Sequence, residues 1–217
     1  MTEAAWLAAT DPTPMLEFLR GKVSDRKMRL FAAACCRRKW KYFGDDRCRQ
    51  AVEIAELFAD DPNMVGDLDR AAQGTRLAMN EWRPKQGSRG MLVRVSAAAH
   101  ALVQPRLHVV HIASQMLGLP VASARARSEE AQRQVCLLRE IIGNLFHPVT
   151  IDSSWLTFDV VMIAKGAYED RAFDRLPILA DALQDAGCED EDILTHLRGA
   201  GPHVRGCWAL DLILGKS

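Results

Sequence analysis

The sequence predicts an all-α fold, a multi-helix globular bundle, on three observations. Apolar residues recur at steps of three, four and seven along most of the chain. Gly and Pro stand at nearly every break between these runs, where helices stop and start. Nowhere is there the sustained alternation with β-branched enrichment that marks a strand. About nine or ten helices suit this length, given a mean of roughly a dozen residues per helix. Stacked helix pairs are an option in the C-terminal half.

The elements follow in order. Residues 2–9 suit a short opening helix, broken by Asp11 and Pro12. Thr13 then caps a second short helix with Pro14 in its first turn. Ser24 caps the best-patterned helix, residues 25–43. Met28, Phe31, Ala32, Cys35, Tyr42 and Phe43 form its apolar arc, with Arg26, Lys27, Arg37, Arg38 and Lys41 opposite. Lys39 falls inside the arc and fits only if its stem reaches the edge. Asp45 or Asp46 caps the next helix, which buries Cys48, Ala51, Val52, Ala55, Phe58 and Ala59. A third long helix covers residues 67–82 despite Gly74.

Residues 83–90 (RPKQGSRG) read as a flexible linker, dividing an N-terminal lobe (1–82) from a C-terminal lobe (91–217). Pro105 and the Gly118-Leu119-Pro120 step break the following helical pattern, and residues 122–142 form another helix. Residues 147–152 are extended, since a residue before Pro avoids the helical region. Ser153 or Ser154 restarts a helix with Trp155, Phe158, Met162 and Tyr168. In the closing third, Pro177 opens a helix and Gly187 stops it. Asp190 and Glu191 open the next and Gly199 closes it. Pro202 starts a last helix, ended by Gly215. Leu176, Leu179, Ala180, Leu183, Ile193, Leu197, Trp208, Leu210, Leu212 and Ile213 are the expected core of this region, shared with the Trp155 helix.

The 217 residues carry 28 basic and 28 acidic side chains, so no bulk charge draws the chain to nucleic acid or membrane. The charge is bipolar, however. Residues 20–49 hold eleven Lys or Arg and three Asp, whereas residues 169–192 hold nine acids and two Arg. No apolar run approaches the ~20 residues needed to span a bilayer. The opening lacks the basic and apolar stretches of a secretory signal. The six cysteines, two adjacent and the others scattered, read as reduced thiols rather than a disulfide framework. A cytoplasmic protein is expected.

Several groups invite a chemical reading. Cys188, His196, His203 and Cys207 offer zinc-type ligands as C-x7-H-x6-H-x3-C, but lack a tight paired knuckle. The competing reading is two core thiols and two histidines at helix ends, so no metal is expected. His108 and His111 (HVVH), with His100 two turns earlier, lack the Glu and the i, i+4 spacing of a metalloprotease helix. Cys35 and Cys36 lie among cations that favour thiolate, yet sit on a buried arc without a helix N-terminus. Asp152-Ser153-Ser154 suits a helix cap, and the acidic run 189–192 lacks the alternate ligands of a calcium loop. No phosphate-binding, dinucleotide-binding or nucleophile-elbow motif is present.

Two stretches resemble a known family. The opening MTEAAWLAATDPTPMLEFLRGKVSDRKMRLFAAACCRR and the close RAFDRLPILADALQDAGCEDEDILTHLRGAGPHVRGCWALDLILGK resemble a large paralogous family of uncharacterised proteins from planctomycete-type bacteria. The segment CLLREIIGNLFHPVTIDSSWL fits the same family. The resemblance supplies no catalytic residues, and the close looks like a portable module. The family's expansion implies recognition or scaffolding rather than a metabolic reaction.

These readings converge on a non-enzymatic helical interaction or scaffolding module, without cofactor, for a protein partner. Its expected docking face is Arg26, Lys27, Arg37, Arg38, Trp40 and Lys41. Nucleic-acid binding by the same basic helix, with Trp40 as a stacking surface, is one alternative. A metal-dependent hydrolase drawing on His100, His108, His111, His196 and His203 is another.

Overall fold

A side chain that accepts a backbone N–H in the first turn fixes where a helix begins, and this chain uses that device repeatedly. Thr2, Asp11, Ser24, Asp45, Thr157 and Asp190 each cap a helix this way. A computed structural model describes residues 1–87, 90–119 and 123–216. Among the described residues there are twelve α-helices, three short 3₁₀ turns and no strand, as the all-α reading expects. The helices are α1 (Glu3–Ala8), α2 (Pro12–Leu19), α3 (Asp25–Arg38), α4 (Asp46–Asp60), α5 (Val65–Gln86) and α6 (Met91–Leu102). They continue as α7 (Val109–Leu117), α8 (Ala124–Ile142), α9 (Phe158–Glu169), α10 (Leu176–Asp185), α11 (Glu191–Arg198) and α12 (Trp208–Ile213).

Several boundaries differ from expectation. The second helix is capped by Asp11 with Pro12 in its first turn, two residues before Thr13 and Pro14. The basic helix stops at Arg38, and Trp40–Tyr42 form a 3₁₀ turn. Trp155 lies in a separate 3₁₀ turn, Ser153–Trp155, so α9 begins only after Thr157. Consequently the exposed side of α9 holds Phe158 and Met162, while Val160, Ala164, Ala167 and Tyr168 are buried.

The domain division also moves. Helix α5 runs on through residues 83–86, Pro84 included, and packs along α6. Ser88 and Arg89 of the expected linker, and Pro120 and Ala122 at the later boundaries, lie outside the described residues. The chain instead divides into a first unit, Met1–Leu137, and a second, Leu138–Ser217. The α5–α6 packing explains why 83–90 does not separate lobes.

In the first unit α3 packs on α4, α6 and α7, and α4 on α5 and α6. Phe31, Ala32, Cys35 and Cys36 of α3 are fully buried there. Arg29 is buried too, and donates to the Leu102 and Gln104 carbonyls at the C-terminal end of α6. That end carries the negative pole of the helix, which suits a buried cation. In the second unit α9, α10, α11 and α12 enclose one core. Leu176, Leu179, Ala180, Leu183, Ile193, Leu197, Leu210 and Ile213 are buried in it as expected, with Trp155, Trp208 and Leu212 packed at its edge.

Candidate metal centre

One segment expected to be helical is instead a loop, and that loop builds the site. After Gly199 the chain does not turn into a helix at Pro202. It runs as irregular backbone to Cys207, the residue before α12. Gly201 and Gly206 cause this, with φ of +85° and +89° in the left-handed region where a side chain is strained. At Gly201 a Cβ would also strike the backbone nitrogen of His203.

The loop presents His203 and Cys207 to His196 on α11 and Glu140 in the last turn of α8. One ligand-type atom from each of these four lies within 4.8 Å of every other. His196 Nε2 is 3.1 Å from Cys207 Sγ and 3.5 Å from Glu140 Oε2. His203 Nδ1 is 3.1 Å from Glu140 Oε1, and its Nε2 is 3.0 Å from the Gly199 carbonyl. The two imidazoles meet edge to face with centroids 5.2 Å apart. Trp208, at the start of α12, donates its indole N–H to His196 Nδ1 at 3.1 Å. Behind the indole sits Gly143, which ends α8 with φ +74°.

The electrostatics distinguish the two histidines. Burial holds His196 below the usual imidazole range, with His203 adding to the effect and the Glu140 charge opposing it. Burial acts the same way on His203 but is outweighed. The Glu140 hydrogen bond and charge, with the Gly199 carbonyl, hold His203 above that range. Cys207 is fully buried, and desolvation, reinforced by Glu140, pushes its thiol well up.

A zinc-class ion has ligands at ~2.0–2.3 Å in a tetrahedron, so its ligand atoms stand roughly 3.3–3.7 Å apart. The contacts of 3.1 to 3.5 Å made by His196 and by His203 with Glu140 approach that spacing, and the remaining pairs lie within 4.8 Å. Carboxylate, imidazole and thiolate together form a borderline set suited to zinc.

Three of the four residues in the C-x7-H-x6-H-x3-C spacing are thus brought together and one is not. Cys188 is buried in the core between α10 and α11 and is not in the cluster. Glu140 takes the fourth place. The sequence carries one signal for it: a carboxylate three residues after Leu137 and next to Ile141, on the buried side of α8.

The remaining candidates have structural settings. His108 precedes α7 and His111 lies within it, both exposed, so they do not share one helical face with His100. His100 donates from Nδ1 to the Ala72 carbonyl and meets Gln104 at Nε2. Cys35 and Cys36 are fully buried, and desolvation raises both thiols. Asp152 accepts from Ser154 as a cap, and Asp190 of the acidic run caps α11.

Within the first unit, much of the basic face is already engaged. Arg26 pairs with Asp60 at 2.9 Å and Arg37 with Glu56 at 2.7 Å. Glu130, buried on α8, takes both Arg38 at 3.1 Å and Lys39 at 2.9 Å. Trp40 lies under the Arg37 guanidinium at 4.2 Å, and Lys41 reaches over Tyr42. Arg26 and Arg37 of the expected docking face therefore pair with α4 and Arg38 with α8, while Lys27 is partly buried and Lys41 exposed.

No family model, curated protein or solved structure matches the chain. Among the described residues no helix is long and apolar enough to cross a membrane.

Proposed function

We propose that the chain is a non-enzymatic helical interaction module whose second unit is organised around one zinc-class metal ion. The observation that supports this is the convergence of Glu140, His196, His203 and Cys207 from α8, α11 and the loop before α12. An ion there ties three separate segments together in a region of irregular backbone. Metal binding of this kind is folding free energy, and it releases the Cys207 proton. The interaction part of the reading is supported by α9, where Phe158 is 78% and Met162 50% exposed one turn apart. Aromatic residues and Met are enriched in protein interfaces. The basic face gives the docking idea less support than the sequence suggests, because Arg26, Arg37 and Arg38 pair internally.

Elemental analysis and zinc titration of protein purified without an affinity tag test the metal. About one equivalent is expected, lost in Cys207→Ser and His203→Ala. Metal well below one equivalent, unaffected by added zinc, would remove the ion from the reading. Affinity purification from the native host tests the other part. A stoichiometric protein partner is expected, and repeated recovery of the bare chain counts against it.

A further inference from the structure

Which of the four groups can touch an ion is decided by where the protons sit. The indole nitrogen of Trp208 can only donate, so His196 Nδ1, at 3.1 Å, must accept. A neutral imidazole that accepts at Nδ1 carries its proton on Nε2. That Nε2–H points at Cys207 Sγ, with Glu140 Oε2 slightly farther, and offers an ion no lone pair. His203 has the opposite arrangement. The Gly199 carbonyl can only accept, so Nε2 keeps its proton, while Nδ1, the nitrogen that faces Glu140 and the cluster, donates to that carboxylate and gives up this second proton when an ion takes its place. A ligating histidine whose other N–H is held by a backbone carbonyl is the usual second-contact pattern of metal sites.

We infer that the ion has three protein ligands, Glu140, His203 Nδ1 and Cys207 Sγ, and a fourth position filled from outside by water or a small anion. His196 is a positioning residue. Its N–H donates to the coordinated thiolate, and Trp208 fixes the tautomer that makes this donation compulsory. The inference rests on the metal reading above and adds the number of protein ligands and the open position. Three protein ligands leave the ion a fourth position open to an outside ligand, where a site closed by four protein ligands has none. Coordination displaces two protons to solvent, the Cys207 thiol proton and the one His203 Nδ1 donates to Glu140, and replaces that hydrogen bond with bonds from both residues to the ion.

Cobalt(II), which replaces zinc and absorbs visible light, provides the test on the full chain. Wild-type protein should show thiolate-to-cobalt absorption, and adding azide should shift the cobalt bands. Cys207→Ser and His203→Ala should abolish the signal. His196→Ala should keep it, with affinity lowered about 10–100-fold, the usual effect of removing an outer partner. Trp208→Phe removes the N–H that holds His196 Nδ1, so His196 can turn Nε2 to the ion, and the azide response should weaken. Cobalt bands that azide does not move, or a His196→Ala protein as metal-free as Cys207→Ser, would overturn the three-ligand inference while leaving a metal site standing. A wild-type chain that binds neither cobalt nor zinc would instead overturn the metal reading itself. If Trp208→Phe fails to fold, the azide and His196→Ala results still decide the matter.

Discussion

Gly143 lies against the face of Trp208 so closely that a Cβ on the glycine would stand 3.1 Å from the indole Cγ. The glycine ends α8 at φ +74°, a conformation that a side chain strains by itself. Gly143→Ala should therefore lower stability by about 1–3 kcal/mol in chemical denaturation, through backbone strain and displacement of the indole. It should also loosen the Trp208–His196 hydrogen bond and change tryptophan fluorescence. A variant of unchanged stability and emission would mean that Trp208 does not rest on α8 in this way.

Asp45 supplies a pH dependence. Its carboxylate is hydrogen-bonded by the Arg47 side chain, by the Trp82 indole and by the Arg47 backbone N–H. The Arg47 hydrogen bond is the largest influence. With the others it outweighs burial and holds the group down to about 2 from an ordinary 3.8. A depressed folded value means the stabilisation is complete above pH ~4 and is lost as pH falls through ~2. Asp45→Asn should cost ~1–3 kcal/mol at neutral pH and flatten the acid limb of the stability curve. Equal acid sensitivity in the variant would move the effect to other carboxylates.

Glu130 tests the basic helix. Its side chain is 3% exposed and faces Arg38 and Lys39 together. Removing one partner of a buried pair is costly. Since both cations partly reach solvent, Glu130→Gln should lose ~1–3 kcal/mol rather than more. Thermal unfolding measures it. An unchanged melting temperature would leave Arg38 and Lys39 available for an external partner.

Cys188 separates the sequence-derived ligand set from the structural one. Cys188→Ser places a hydroxyl in the core and should lower stability by ~1–2 kcal/mol, with zinc affinity unchanged. Loss of zinc comparable to that in Cys207→Ser would return Cys188 to the coordination sphere.

The helices were largely legible because their signals are local. Caps such as Ser24, Asp45 and Asp190, and stops such as Gly187 and Gly199, act within one turn and stand beside each other in the chain. The site was only partly legible because its members are not neighbours. His196, His203 and Cys207 could be noticed together. Glu140 could not be joined to them without knowing that α8 ends beside α12's first turn, where Gly143 meets Trp208. The Gly199-to-Cys207 stretch departs from the helix its sequence suggests for a related reason. Pro202 is a fair helix opener, but Gly201 and Gly206 on either side adopt positive φ, and their conformation depends on tertiary packing. The paired state of Arg37 and Arg38 was hidden likewise, because Glu56 and Glu130 lie on other helices.

Glu140 and His203 are 63 residues apart in sequence. Their meeting closes a long loop, and contacts of that separation form late because chain entropy opposes them until the intervening structure is in place. Helices α9, α10 and α11 all lie within that interval, and docking them lowers the chain entropy that the Glu140–His203 contact has to overcome. A spectroscopic ion at this position would therefore report whether the two ends of that interval are held together.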